Sequence, residues 1–417
     1  MIGIDEAFAL LLPRFLPLSS ERVSLDQALG RFLASSLAVR EDVPPFDNSA
    51  MDGYAVRAED LVGATAEQPV ALPLVVESRA GGAAPGTLAP RSVARIFTGA
   101  PLPDGADTVV MQEEVERVRA DVLFRAAPSR GRHVRRQASV LAVGGSLLDA
   151  GAALGSGEIG VLASQGFAQV PVHRRPRVAL LSTGDELRDV GEPARPGTLV
   201  DSNSHALAAA VREAGGEPLV LPRAPDEPEA LVRAVRDGIA SADVLVTCGG
   251  VSVGEYDLLH EAFRQAGVEE VFWKVRIKPG KPIRFGVAGR VPVVGLPGNP
   301  VSALLTFELF VRPGLRRMLG DPRPHREPVE VELGTPMVAP SGRTELCRAR
   351  LELRERARPI AWPHADQGSG ALTSLVGLDA LIVLPEGKGA MPEGTVVRAL
   401  DLRARGSARV PFDVVSR

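Results

Sequence analysis

Hydrophobic and polar positions follow three different rhythms along the chain. In the first forty residues apolar side chains recur at helical spacing, with Phe8, Leu11 and Leu12 on one face, and a second amphipathic run extends from Leu25 to Leu37. The pattern breaks at Val43-Pro44-Pro45. From Tyr54 to about Val134 it changes to short alternating runs, such as Leu72 to Val76 and Val93 to Phe97, punctuated by Gly-Gly and Pro pairs, which predicts a β-rich domain. Residues 151 to 171 return to a helical pattern that ends near Gly166, as though the β-rich domain were inserted into one helical element.

From Arg177 the rhythm becomes regular. Strands are predicted at Val178 to Leu181, Glu217 to Leu221, Val244 to Thr247 and Val291 to Val294. Helices are predicted at Ser204 to Ala214, Glu227 to Ala240, Leu258 to Ala266 and Val301 to Leu315. Such alternation specifies an α/β domain with a doubly wound, mostly parallel sheet, whose ligands bind beyond the carboxyl ends of the strands. After the Pro-rich stretch Asp321 to Pro328, alternation with period two resumes at Val329 to Leu333, Leu346 to Leu353 and Leu381 to Leu384, giving a small C-terminal β domain. The expected organisation is therefore an N-terminal domain of 1–45 plus 135–175, an inserted β-rich domain of 46–134, an α/β domain of 176–320 and a β domain of 321–417.

A length of 417 residues suits several folding units, and 45% hydrophobic with 24% charged residues excludes global disorder and a coiled-coil rod. The 43 glycines and 35 prolines exceed the usual share and predict many turns. A formal charge of −3 gives no global field to attract nucleic acid, so any anion site must be local. The two cysteines, Cys248 and Cys347, supply neither a disulfide framework nor a Cys-rich zinc site, which fits a reducing cytoplasm. The acidic, Pro-broken N-terminus is unlike a signal peptide, and no apolar stretch reaches the ~18 residues of a membrane span. A soluble, cytoplasmic protein is expected.

The candidate chemistry lies in loops after the predicted strands. Ser182-Thr183-Gly184-Asp185-Glu186-Leu187 reads either as a helix-capping box through Thr183 and Glu186 or as a functional loop. Cys248 to Asp257 contains Gly249, Gly250, Ser252 and Gly254, which can turn several N–H groups toward one phosphate. Asp257 then either caps the next helix or serves as an oxygen ligand for Mg²⁺. Pro297-Gly298-Asn299-Pro300 places Asn299 as N-cap and Pro300 at the first helical position, with free N–H groups at the same edge. Only four residues are lysines, and Lys274, Lys278 and Lys281 fall within eight positions. In an extended chain Lys274, Arg276 and Lys278 share one side, opposite Trp273, Val275 and Ile277. That row is either a solvated face or a set of point charges for an oxyanion such as phosphate.

Six motifs, in order, carry a resemblance: Asp47 to Arg57, Ile96 to Pro101, Ser182 to Leu187, Gly249 to Asp257, Lys274 to Pro282 and Gly295 to Ser302. Together they resemble the molybdopterin molybdenumtransferases, the MoeA family, which includes the E domain of gephyrin. The resemblance implies an elongated homodimer that binds adenylylated molybdopterin, inserts molybdate and releases AMP with the help of Mg²⁺ or another divalent cation. It also implies a partner, molybdopterin adenylyltransferase, and no nucleic-acid or membrane partner. Residue by residue it implies Asp52, Glu186, Asp257, Lys274 and Lys278 as catalytic, with Glu186 and Asp257 holding the metal. It implies cofactor binding by Thr98, Thr183, Gly184, Asp226, Gly249, Gly250, Ser252, Gly254, Lys281, Pro297, Gly298, Asn299, Pro300, Arg348 and Ser369. One position departs from the family pattern. Where the family has a functional Asp after an Arg-rich stretch, Arg135-Arg136-Gln137-Ala138 leads to Ser139, so either another acid compensates or turnover is weakened. Two alternatives accompany this reading: a cofactor-binding scaffold without turnover, favoured by Ser139, and a sugar-phosphate or nucleotide transferase on the same type of sheet.

Overall fold

The computed structural model describes residues 1–83, 85–249, 258–339 and 342–403. Its contacts divide the chain into two compact units, one of 1–34, 151–155 and 169–417, the other of 35–150 and 156–168.

At the centre of the first unit is a six-stranded sheet. Its strands are β1 (Arg177–Ser182), β2 (Glu217–Val220), β3 (Val244–Cys248), β4 (Glu269–Trp273), β5 (Arg284–Ala288) and β6 (Val291–Leu296), in spatial order β2-β1-β3-β6-β5-β4. The pairs β1–β2, β1–β3 and β3–β6 are parallel, while β5 runs antiparallel to both neighbours. Period-two alternation feeds two cores. Val178, Leu180, Val244, Val246, Val294 and Leu296 enter one, and Ala179, Leu181, Leu245 and Val293 enter the other. Helices α1 (Ser202–Glu213) and α4 (Pro300–Thr306) cover the first face, and α2 (Pro228–Ser241) and α3 (Leu258–Gln265) the second. Burial on both faces is what makes these strands near-continuous apolar runs. The doubly wound reading therefore holds. Strands β4 and β5 had no counterpart in the predicted set, because β4 opens with Glu269-Glu270 at the sheet edge and β5 closes a hairpin with β6.

Because the chain steps from β1 outward to β2 and returns past β1 to β3, the turns after β1 and β3 lie side by side. That is the switch point at which open α/β sheets bind ligands.

Two helical readings need correction. The run from Leu25 to Leu37 forms a helix only over Leu25–Ala28, since Gly30 adopts φ +74° and the backbone then pairs with residues 152–154. The pattern of 151–171 is a helix over Ser156–Ser164, after which Gln169–His173 is a strand antiparallel to Ser20–Ser24. The helix predicted for Val301 to Leu315 starts at Pro300 and runs to Met318 with a π-turn segment at Phe307–Val311. Pro313, which has no N–H to give to that segment's ladder, lies just beyond it.

The C-terminal part is a β domain. Thr344–Glu352 pairs with Ile360–Pro363 and Ala380–Leu384, and Pro328–Leu333 and Val396–Asp401 close the circuit between them. The dipeptide Ile277–Lys278 adds to this sheet in parallel with Thr344–Glu345. The core containing Val178 and Leu296 also includes Leu346 and Leu381, so the two sheets share packed side chains.

The second unit carries a six-stranded sheet in the order Thr108–Met111, Gly53–Val56, Val93–Ile96, Val70–Ser78, Asp121–Phe124, Val115–Val118. The β-rich reading of that stretch holds.

Candidate functional site

At the carboxyl edge of the central sheet, three turns meet. After β1, the Thr183 N–H donates to the Cys248 carbonyl at 3.2 Å, tying this turn to the end of β3. Gly249 follows with φ +94°, and a Cβ there would stand 2.5 Å from the Thr183 carbonyl oxygen. Only glycine permits that approach. A Cβ on Gly298, in the turn after β6, would lie 3.5 Å from the Gly249 Cα, so the third turn touches the second. The Thr183 hydroxyl is buried at this junction and has no hydrogen-bond partner among the described residues.

The capping-box reading of Thr183 and Glu186 is corrected. Residues 183–186 form a turn that leads into Leu187–Arg188, which pairs with Leu199–Val200, and the next helix begins at Ser202 with Asp201 as its cap. Glu186 is exposed at the base of this excursion. Beside it, the Asp226 N–H donates to Asp185 Oδ1 at 3.3 Å. Burial, with the like charges of Asp185 and Glu186, pushes the Asp226 carboxyl above its ordinary range. A cluster of carboxylates at the mouth of the switch point results.

Asn299 occupies the N-cap position and Pro300 the first helical position, as expected, but the Asn299 side chain makes no capping bond. It donates instead to Ser369 Oγ at 3.0 Å, while the Ser369 carbonyl accepts from the Val301 N–H at 3.2 Å. A loop of the C-terminal domain thus takes over the cap. Behind that loop Arg348 is fully buried, donating through Nη2 to the carbonyls of Asp366 and Gly368 at 3.0 and 3.1 Å. Its Nε and Nη1 have no partner among the described residues. Pro297 is buried beneath the turn and Gly298 is exposed.

The extended lysine row is only partly realised. Lys274 adopts φ +67°, leaves the alternation, and places its ammonium 3.5 Å from the centroid of the Trp273 ring. From Val275 onward the alternation holds: Val275 and Ile277 are buried, and Arg276 and Lys278 face outward. Lys278 Nζ lies 2.9 Å from Glu345 Oε1, and Arg276 pairs with Glu386 at 3.6 Å. Lys281 is half-buried, its carbonyl accepting from the Val275 N–H. Gly280, with φ +108°, closes the turn where a Cβ would stand 2.3 Å from Thr306 Cγ2.

Asp52 and Thr98 belong to the other unit. Thr98 donates to Asp52 Oδ1 through its N–H and its hydroxyl, each at 2.8 Å, and these two bonds hold the carboxyl below the usual carboxylate range. Ser139 is exposed in the same unit. It follows Ala138 at φ +59°, in a turn fastened by the Gln137 N–H to Asp47 at 2.8 Å and the Gln137 amide to Asp42 at 2.8 Å. Gly250, Ser252, Gly254 and Asp257 lie outside the described residues. Among the described residues, no group of three or more His, Cys, Asp or Glu is arranged to hold a metal.

Sequence reasoning missed Glu345, which pairs with Lys278, and Asn203, which spans two of the turns. Neither has a local signal, because both act on segments distant in sequence.

Comparison with known proteins accounts for this arrangement. Residues 2–166 match the MoeA N-terminal region (domain I and II), 179–317 a probable molybdopterin binding domain, and 330–402 the MoeA C-terminal region (domain IV). The molybdopterin molybdenumtransferase of Nostoc sp. is 40% identical over 388 residues, covering 92% of this chain and 89% of that protein. The chain belongs to the molybdopterin molybdenumtransferase family. The Bacillus subtilis member is 34% identical over 402 residues, covering 95% of this chain and 93% of its own. Among solved structures, the molybdopterin biosynthesis MoeA protein of Pyrococcus horikosii has a TM-score of 0.85 at 32% identity, covering 97% of this chain and all of that one. The family's molybdopterin-binding region coincides with the central sheet whose three turns converge.

Proposed function

We propose that the protein is a molybdenum cofactor biosynthesis enzyme that takes adenylylated molybdopterin and molybdate, places the metal in the dithiolene and releases AMP. The observation that carries this reading is the convergence of the Thr183, Gly249 and Gly298–Asn299 turns at the switch point. The lysine-bearing strand is fastened to the neighbouring sheet of the same unit. Identity of 34–40% over 91–95% of the chain to proteins named molybdopterin molybdenumtransferase supports it and disfavours both alternatives.

In this reading the backbone N–H groups around Gly249 and Gly298, with the Thr183 hydroxyl, bind the phosphates, and Asn299 and Ser369 line the pterin side. Gly184 keeps the turn clear, since a Cβ there would stand 2.5 Å from Glu186 Oε2. Lys278, oriented by Glu345, and Lys274, set over Trp273, offset negative charge on phosphate and molybdate. Lys281 and Arg348 act through the backbone they hold. Asp52, whose carboxylate is steadied by Thr98, is a further catalytic acid of this reading, and the enzyme acts as a homodimer.

The donor chemistry fits a hard divalent cation such as Mg²⁺. The groups at the mouth are carboxylate oxygens, the ligand type such a cation prefers, and burial, with the like charges of Asp185 and Glu186, raises the Asp226 pKa. Glu186, which has Asp226 near it, and Asp257 would hold it, and when bound it would neutralise the pyrophosphate. No helix of the described residues is long and apolar enough to cross a membrane, and action in the cytoplasm beside a molybdopterin adenylyltransferase follows from the reading.

The test is AMP release from adenylylated molybdopterin with and without molybdate. Molybdate-dependent release is expected; tight binding without release would support a scaffold, and no binding would support an unrelated transferase.

A further inference from the structure

Asn203 stands on the first turn of α1 and reaches across the carboxyl edge of the sheet. Its Nδ2 donates to the Gly298 carbonyl at 2.7 Å and to Cys248 Sγ at 3.2 Å. Cys248 in turn approaches the Pro297 carbonyl at 3.4 Å through Sγ. Both hydrogens of one amide are thereby used on two different turns, and the thiol passes the link on to the residue before Gly298. We infer that Asn203 is the positioning residue of the site, locking the start of the glycine-rich loop after β3 and the Gly298–Asn299 turn after β6 into one spacing matched to the phosphates between them. This inference rests on the function proposed above and adds a role to a residue outside those the resemblance implies.

Three features make the link more than incidental packing. Asp201 fixes the helix start, accepting from the Ser204 N–H at 3.0 Å, so the Asn203 backbone is held while its side chain reaches out. Gly249 and Gly298 lie so close that a Cβ added to Gly298 would stand 3.5 Å from the Gly249 Cα, and neither has a side chain of its own to set their separation. The Asn299 amide, one residue beyond the clamped carbonyl, is committed to Ser369, so a shift of Gly298 is transmitted to that loop as well. The chemistry is self-consistent: burial, with Asp201 nearby, pushes the Cys248 thiol up to about 12, so it keeps its proton and can accept from Asn203 while donating to Pro297.

The experiment compares wild type with Asn203→Ala and Asn203→Asp, the latter isosteric but lacking the amide hydrogens. Two readouts are used: steady-state AMP release, and peptide-resolved iodoacetamide labelling. Cys347, buried in the C-terminal core, is the internal control for global opening. Both variants should raise KM for adenylylated molybdopterin at least about tenfold, a loss of ~1.4 kcal/mol, with a smaller change in kcat. Cys248 should label at least several-fold faster while Cys347 does not change. Unchanged KM together with unchanged Cys248 labelling would overturn the inference, as would a parallel rise in labelling of both cysteines. If wild type shows no turnover, the functional reading fails by itself, and selective labelling of Cys248 in the variants still decides whether Asn203 clamps the two turns.

Discussion

Lys278 and Arg276 both face outward from the same short strand, yet they are not equivalent. The Lys278 ammonium is held 2.9 Å from a carboxylate whose side chain is only 12% exposed, whereas Arg276 meets Glu386 loosely at 3.6 Å with both side chains over 40% exposed. A compact ammonium so oriented suits an oxyanion as a point charge. Lys278→Ala should therefore raise KM for molybdate or the pterin nucleotide about tenfold or more, and Arg276→Ala should change it less than about threefold. Equal effects in steady-state assays would return both residues to a solvated surface. The candidate lysines were legible because lysine is rare in this chain. Their partners were not, because Glu345 lies 67 residues further on and Trp273 captures Lys274 through a backbone conformation that spacing does not reveal. Asn299 gives the same lesson: its position was readable as an N-cap, but its side chain serves Ser369.

At the scale of elements, the central sheet was readable because strands buried on both faces are written as apolar runs between helices. The edge strand β4 and the hairpin strand β5 escaped, having acidic or half-buried positions that blur the pattern. What places the turns is a small set of fastenings. Arg174 grips Asp243 through two bonds of 2.6 and 2.5 Å, and the Arg177 N–H adds a third at 2.9 Å, so the start of β1 is tied to the start of β3. Burial opposes ionisation of Asp243, but these donors outweigh it and hold its pKa below the usual value. Its stabilisation is therefore complete above about pH 4 and lost as pH falls through the lowered folded-state value. Asp243→Asn should cost about 1–3 kcal/mol in denaturant unfolding at neutral pH, with the difference from wild type shrinking in acid; a constant difference would point to packing instead. Gly280→Ala should destabilise by about 1–3 kcal/mol or more, because the turn needs φ +108° and its Cβ would meet Thr306. An unchanged melting temperature would show that this turn relaxes freely and does not fix Lys278.

At the scale of the whole molecule, three domain matches follow one another along the chain, and Ser139 is the position where the resemblance implies an Asp. Asp42 and Asp47 already fasten the turn that carries Ser139, so acidic groups remain there without the missing Asp. Ser139→Asp should accordingly change kcat less than about threefold, and a gain of a hundredfold would identify the wild type as weakened. The measurement that bears most directly on the proposed site is a crystal structure with adenylylated molybdopterin bound. The expected density has its phosphates against the Thr183 and Gly298 turns and an anionic group within reach of Lys278. Density lying away from the carboxyl edge of the central sheet, with those turns empty, would contradict it.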